Sequence, residues 1–417
     1  MWYKWGMFRL RKFSLLLALI GPAIITSNID NDAGGIAIYS IAGANYGYNM
    51  LWTLIPIVFL LILLQEMSSR TGIITGKGLA DLIRENYGVR TAFWVMVSLF
   101  LTNLGNTAAE FSGWAASMEL FSISKYISVP IGAFFVWFLV TKWNYGIFEK
   151  IFLGICFIYV TYIVSAFLAK PDWAEVARET VTPHIRWNAD YLIMVVSIIG
   201  TSITPWQQFY LQSGVVEKGL RKENLWASRV DVVFGSIMMG IVAFFIIVAC
   251  GATLYPAGTH IDSAEQAALC LKPLAGPNAY ILFAVGLANA SLFSGCILPL
   301  ATTYYICEAM GWEMGIGKGF REAPHFRFIF TTILVFGASI VLIPNLPLIK
   351  VMWFSQIINS FLLPAVMIFM IQLINDDDIM GNYKNSPWMN VAAYIGTGTL
   401  ILLNTVLLFN AFSDIFQ

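Results

Sequence analysis

Thr26-Ser-Asn-Ile-Asp-Asn-Asp-Ala-Gly-Gly35 and Gly200-Thr-Ser-Ile-Thr-Pro-Trp-Gln-Gln208 are the two stretches on which the fold turns. Each interrupts a long apolar run. In the first, Asn28, Asp30, Asn31 and Asp32 precede the pair Gly34 and Gly35. A charge at the centre of a bilayer costs at least ~2.5–3.5 kcal/mol, and a glycine weakens a helix by about 1 kcal/mol. A regular lipid-facing helix does not accommodate this combination. The chain is expected to open here, so that freed carbonyls and acids face a cavity. In the second stretch Pro205 removes a backbone donor and opens the preceding turn, which carries the hydroxyls of Thr201, Ser202 and Thr204.

The composition explains why these runs belong in a membrane. The chain has 417 residues, of which 58% are hydrophobic and only 12% charged. Soluble domains carry about 25% charged residues. Mean hydropathy is +0.73. Basic and acidic residues balance at 24 each, so no cationic surface exists for nucleic acid. The five cysteines form no CxxC pair, and the three histidines all lie in polar connecting segments. Disulfide scaffolds and disordered chains are excluded on the same grounds.

A helix needs about 20 apolar residues to cross the hydrocarbon. Eleven spans are expected, near 14–42 (interrupted), 48–69, 91–120, 128–143, 147–169, 190–213 (interrupted), 229–254, 278–309, 326–344, 349–374 and 388–412. The first is expected to be retained rather than cleaved as a signal peptide, because it runs on through Gly21 and Pro22 into a polar segment. With the N-terminus inside, eighteen lysines and arginines fall on inner segments and six on outer ones. That bias predicts a cytoplasmic N-terminus and an outer C-terminus. Segment 70–90 is read as an interfacial helix, and Glu66 and Glu308 as solvated acids near helix ends.

The interrupted spans are the first and the sixth. Broken helices at matching places in two halves point to an inverted-repeat transporter with its site at the midplane between the breaks. Repeat one is then about 14–169, repeat two about 190–374, and an extra helix follows at about 388–412, within a single transmembrane domain. Asp32 and Asn28, Thr201 and Thr204, and Gln356 and Asn359 of span 10 all offer oxygen. Such a set suits a hard divalent cation. A transporter for amines or amino acids is the rival class, but Asp32 would repel a substrate carboxylate at the span 1 break. A membrane enzyme would need a clustered catalytic set, and none is evident. No cofactor is expected, since the metal ion is cargo. The partners expected are divalent ions and the lipid bilayer; a monomer suits this reading, which leaves the oligomeric state open.

Several stretches then carry a family resemblance. They are Gly21-Pro22, Asp32–Gly35, Gly47 to Trp52, Ser68-Ser-Arg-Thr-Gly-Ile-Ile-Thr-Gly-Lys-Gly-Leu-Ala80, Ala109-Glu-Phe-Ser-Gly113, Ser355-Gln-Ile-Ile-Asn-Ser-Phe-Leu-Leu-Pro-Ala365 and Met380-Gly-Asn-Tyr-Lys-Asn385. Over nearly its full length the chain resembles the Nramp family of proton-coupled divalent metal transporters. The resemblance implies an all-α polytopic fold of eleven transmembrane helices, a LeuT-like 5+5 inverted repeat plus one helix, with spans 1 and 6 unwound.

The departures from the family pattern bear on function. The family's D-P-G-N reads Asp32-Ala33-Gly34-Gly35 here, so the acid is kept and the amide lost. Its M-P-H reads Thr204-Pro205-Trp206, so a sulfur becomes a hydroxyl and a histidine becomes an indole. In span 3 Glu110 keeps the family's glutamate, while Thr107 stands where an aspartate would be; the span 9 arginine cluster is reduced to Arg327. This resembles the divergent Nramp-related magnesium transporters. The expected metal set is Asp32, Gly35, Thr201, Thr204 and Gln356, with Asn28, Asp30, Gln207 and Asn359 around it. The remnant of a proton route is Glu110 and Arg327, expected to sit as a fixed ion pair. The expected cargo is Mg²⁺ or Mn²⁺, imported with weak or absent proton coupling; the alternative is a conventional proton-coupled Mn²⁺/Fe²⁺ importer.

Overall fold

The computed structural model describes residues 31–142, 159–315 and 318–415. Its long helices are α1 (Ala33–Tyr46), α2 (Leu54–Thr75), α3 (Leu79–Glu119), α4 (Lys125–Lys142), α5 (Val160–Leu168), α6 (Trp173–Val181), α7 (Ala189–Ser202), α8 (Pro205–Glu217), α9 (Leu225–Thr253), α10 (Ala279–Met310), α11 (Pro324–Val341), α12 (Leu348–Asn375) and α13 (Pro387–Ile415). Among the described residues eight segments are long and apolar enough to cross a membrane, and Lys125–Thr141 is a shorter apolar helix. The first half of span 1 and much of span 5 lie outside the described residues, and so do Asn28 and Asp30.

The sixth span is broken where the sequence breaks. Helix α7 ends at Ser202, Ile203 leaves the helical conformation, Thr204 is extended, and α8 starts at Pro205. A proline in the first helical position has no N–H to lose and its fixed φ suits a helix start. The same missing N–H leaves the Thr201 carbonyl without its helical donor. Asp32 is extended at the start of α1. The break in span 6 is therefore a local consequence of its own residues, and α1 starts at the Asp32 cap.

Segment 70–90 is not one interfacial helix. Residues 70–75 complete α2, which stops at Gly76 in a left-handed conformation (φ 66°, ψ 18°). Helix α3 begins at Leu79 and kinks at Gly88, where φ is 83°, a region open mainly to glycine. The interfacial part is thus the stretch before Gly88. The two family-like stretches near 70 and 383 meet in space. The buried Arg70 guanidinium donates to the carbonyls of Tyr383 (2.6 Å) and Lys384 (2.9 Å) and to Asn385 Oδ1 (2.5 Å), and pairs with Glu66 at 3.0 Å. Glu66 also takes Arg229 at 2.9 Å, so this acid is a bridge between helices rather than a solvated end. Glu308 also departs from expectation: it is 4% exposed and lies against Gly78, because α10 ends on the start of α3 instead of in water.

The interior is apolar and continuous, while the outward faces of α4, α9, α11 and α13 expose Ile131, Phe134, Phe234, Phe336, Ile395 and Phe409. A belt of this kind suits hydrocarbon rather than water.

Candidate functional site

Helix α1 starts inside the protein, and two carboxyl groups hold its first turn. Asp32 Oδ1 accepts from the Gly35 N–H at 2.7 Å, and Glu110 Oε2, from the middle of α3, accepts from the Ala33 N–H at 3.4 Å. Both carboxyls thus lie at the same first turn of α1. Behind them, Tyr159 donates to the Asn31 carbonyl at 2.6 Å. The unpaired N–H groups of a helix start attract negative charge, so here the protein's own acids fill the place where a substrate carboxylate would be held. Gly35 enters the site through its N–H, as the donor that orients Asp32.

Helix α12 brings Gln356 against this turn. A methyl group at Gly34 would collide with the Gln356 carboxamide, and one at Gly200, at the end of α7, would collide with the Gln356 carbonyl oxygen. Glycine is needed at both positions for α1, α7 and α12 to converge. Thr201 follows Gly200 directly. Asp32 and Gly35 on α1, Gly200 and Thr201 at the end of α7 and Gln356 on α12 thus converge, and Thr204 stands on the other side of the span 6 break without a side-chain capping bond. Gln207 is buried in the first turn of α8, and Asn359 donates to Gln356 Oε1 at 2.9 Å.

Several buried polar atoms have no hydrogen-bond partner among the described residues: the hydroxyls of Thr201 and Thr204, the Asn31 carboxamide and Glu110 Oε1. Each such atom costs about 1–3 kcal/mol if left unpaired, so the five together, with both atoms of the Asn31 carboxamide counted, would consume much of a domain's stability. Water or a polar ligand can satisfy them. Among the described residues no three His, Cys, Asp or Glu side chains gather to cage a metal. The site is one carboxyl pair with neutral oxygens around it. That donor set fits a hard cation which keeps part of its water.

The expected pairing of Glu110 with Arg327 is not found. Arg327 lies in the first turn of α11 and donates to the Lys318 carbonyl from Nε (3.1 Å) and Nη2 (2.8 Å). Its position there closes the turn before α11, and Glu110 faces Asp32 instead. Thr107 also has no ionic role: its hydroxyl bonds back to the Asn103 carbonyl at 2.7 Å and its methyl packs at Gly337 of α11. Trp206 is buried beside Tyr210.

Three residues at the site were not among the candidates. Asn103 and Asn106 are buried on α3 and hydrogen-bonded toward Asn359, and Tyr39 bonds Ser202 at 2.8 Å across the two breaks. The signal for the asparagines is their spacing with Glu110: residues 103, 106 and 110 share one helix face.

A family model described as natural resistance-associated macrophage protein-like, Nramp, matches residues 23–410. Curated relatives include the divalent metal cation transporter MntH of Klebsiella pneumoniae (strain 342), 25% identical over 93% of this chain and 93% of its own length. MntH of Bacillus subtilis (strain 168) is 24% identical over 97% of this chain and 95% of its own. Among solved structures, the Eremococcus coleocola manganese transporter in complex with an aromatic bis-isothiourea substituted compound shares the fold with a TM-score of 0.76 at 21% identity, covering 97% of this chain and 88% of that one. MhsT in complex with L-phenylalanine is similar at a TM-score of 0.60 and 13% identity, over 92% of this chain and 98% of that one. The architecture is thus LeuT-like and all-helical.

Proposed function

The chain belongs to the Nramp family, and on that premise we propose that it carries hard divalent cations, Mg²⁺ or Mn²⁺, into the cell by alternating access of its two halves. The observation that carries this reading is the Asp32 carboxyl at the start of α1, beside Gln356, whose backbone carbonyl lies against Gly200 at the end of α7. A carboxyl pair among neutral oxygens attracts a cation, and neither break carries a sulfur or imidazole side chain. The relatives named divalent metal cation transporters support the cargo class. An amino-acid cargo is disfavoured because Asp32 and Glu110 fill the helix start that would bind its carboxylate.

The membrane potential is a sufficient drive with the N-terminus inside. A divalent ion gains about 4.6 kcal/mol per 100 mV, twice the single-charge value. Proton coupling is proposed to be weak, on a corrected basis. Glu110 is the titratable group that α3 brings to the Asp32 turn. Yet the polar groups on α3 toward its start, Thr107, Asn106 and Asn103, do not titrate. A proton leaving Glu110 therefore meets no chain of acids or histidines along that face.

The test is calorimetric titration of the purified protein with Mg²⁺, Mn²⁺ and Ca²⁺. Binding in the wild type and none in Asp32→Asn is the expected result. Equal binding in both would overturn the site.

A further inference from the structure

Four carboxamides form a buried hydrogen-bonded chain that leads away from the site. Asn359 Nδ2 donates to Gln356 Oε1 at 2.9 Å. Asn359 and Asn106 exchange both of their amide bonds, at 2.9 and 3.2 Å. Asn106 Nδ2 donates to Asn103 Oδ1 at 3.0 Å. Asn103 Nδ2 ends the chain on Thr302 Oγ1 (2.7 Å) and the Tyr305 hydroxyl (3.0 Å). All six residues are buried, and they join α12, α3 and α10. Beyond them the Tyr305 ring packs on Phe209 of α8, with centroids 5.4 Å apart, so the far end of the chain touches the inner half of the broken sixth span.

A carboxamide has one donor face and one acceptor face. In the arrangement present, Gln356 turns its Nε2 toward Gly34 of the α1 turn and its oxygen toward Asn359. To give that oxygen to a cation, the Gln356 amide must turn over and present its NH₂ to Asn359. Asn359 then has to offer oxygen, which reverses Asn106 and Asn103 in turn. The chain ends on hydroxyls: Tyr305 can accept or donate, and Thr302, whose hydrogen goes to the Leu298 carbonyl at 2.8 Å, has to turn to donate to Asn103. It therefore has two fully hydrogen-bonded senses, while any mixture strands a buried polar group at a cost of about 1–3 kcal/mol. Networks of this kind act as units rather than as separate pairs.

We propose that this carboxamide chain is a two-sense relay. Asn359, Asn106 and Asn103 position the Gln356 amide for the cation and transmit its occupancy to Tyr305 and α8. The relay moves hydrogen-bond polarity without moving a proton. It rests on the reading of Gln356 as a cation ligand given above.

The experiment is a double-mutant cycle read as Mn²⁺ affinity by calorimetry on the full-length protein in detergent. The corners are wild type, Asn103→Ala, Asn359→Leu and the double variant, with Gln356→Ala measured beside them. Asn103 and Asn359 do not touch the ion, and Asn106 stands between them. The relay predicts that Asn103→Ala changes the affinity by at least about twofold, the lower end of coupling within a shared network, and that this change disappears once Asn359→Leu has cut the chain. An equal change in both backgrounds, or no change in the wild type, overturns the relay. Should Asn103→Ala fail to fold, Tyr305→Phe takes its place in the cycle, since it removes only a hydroxyl at the far end. Unchanged affinity in Gln356→Ala would remove the ligand reading and the relay together, whereas an unlinked cycle with a weakened Gln356→Ala removes the relay alone.

Discussion

The carboxyls of Asp32 and Glu110 hold the same first turn of α1, Asp32 by accepting from the Gly35 N–H at 2.7 Å and Glu110 by accepting from the Ala33 N–H at 3.4 Å. One acid comes from the broken span and the other from an unbroken helix. The pair therefore fixes where α1 starts and concentrates negative charge at that point. A cation bound there competes with the cap.

This double role separates two variants of Asp32. Asp32→Ala loses both cap and ligand, so it should bind no divalent ion and lose about 1 kcal/mol of stability, the usual cost of a missing N-cap. Asp32→Asn keeps a capping oxygen and should lose binding with little change in thermal unfolding. Equal loss of stability in the two variants would show that the carboxylate charge, and not the cap, holds α1.

Thr204 sets the preference among ions. Its hydroxyl is buried in the span 6 break and has no hydrogen-bond partner among the described residues. Thr204→Met replaces a hard oxygen by a soft sulfur. The ratio of Cd²⁺ to Mg²⁺ affinity should rise on the order of tenfold, a change of about 1.4 kcal/mol. A wild type that already binds Cd²⁺ far more tightly than Mg²⁺ would mean that a sulfur ligand comes from elsewhere.

Arg70 is a structural prediction away from the site. Its fork joins the end of α2 to the carbonyls of Tyr383 and Lys384 and to Asn385. Charged hydrogen bonds contribute about 1.5–3 kcal/mol each, so Arg70→Ala should destabilise by roughly 3 kcal/mol or more. Arg70→Lys should restore little, because an ammonium cannot match the planar fork. Thermal unfolding in detergent reads both, and an unchanged midpoint in Arg70→Ala would refute the prediction.

Glu110 tests proton movement. During metal uptake into vesicles the lumen should acidify little. A robust metal-dependent proton influx that disappears in Glu110→Gln would show that the carboxyl pair carries coupling after all.

The breaks were legible in the sequence for a physical reason. An acid beside a glycine pair, or hydroxyls ahead of a proline, cannot be reconciled with an unbroken helix in hydrocarbon, so Asp32 and Thr201 announce themselves. The family-like stretch of span 10 announces Gln356 in the same way. What the sequence did not convey is which way each helix face turns. Glu110 and Arg327 are both rare charges in apolar spans, and pairing them is the simplest guess. Helix α3 instead turns Glu110 toward α1, while Arg327 closes its own turn on Lys318. Asn103 and Asn106 escaped notice because a neutral amide in a membrane helix carries a weak signal until its partner on α12 is known. Glu308 looked like a helix end in water, and only the approach of α10 to Gly78 buries it.

The central claim is transport of a hard divalent cation driven by the membrane potential. It is tested most directly by flux of Mg²⁺, Mn²⁺ and Ca²⁺ into proteoliposomes of the wild type and Asp32→Asn, with an imposed potential and with or without a pH gradient. The account predicts wild-type uptake that grows with interior-negative potential, varies little with the pH gradient and is absent in Asp32→Asn. Uptake that needs the pH gradient, or that survives in Asp32→Asn, would contradict it.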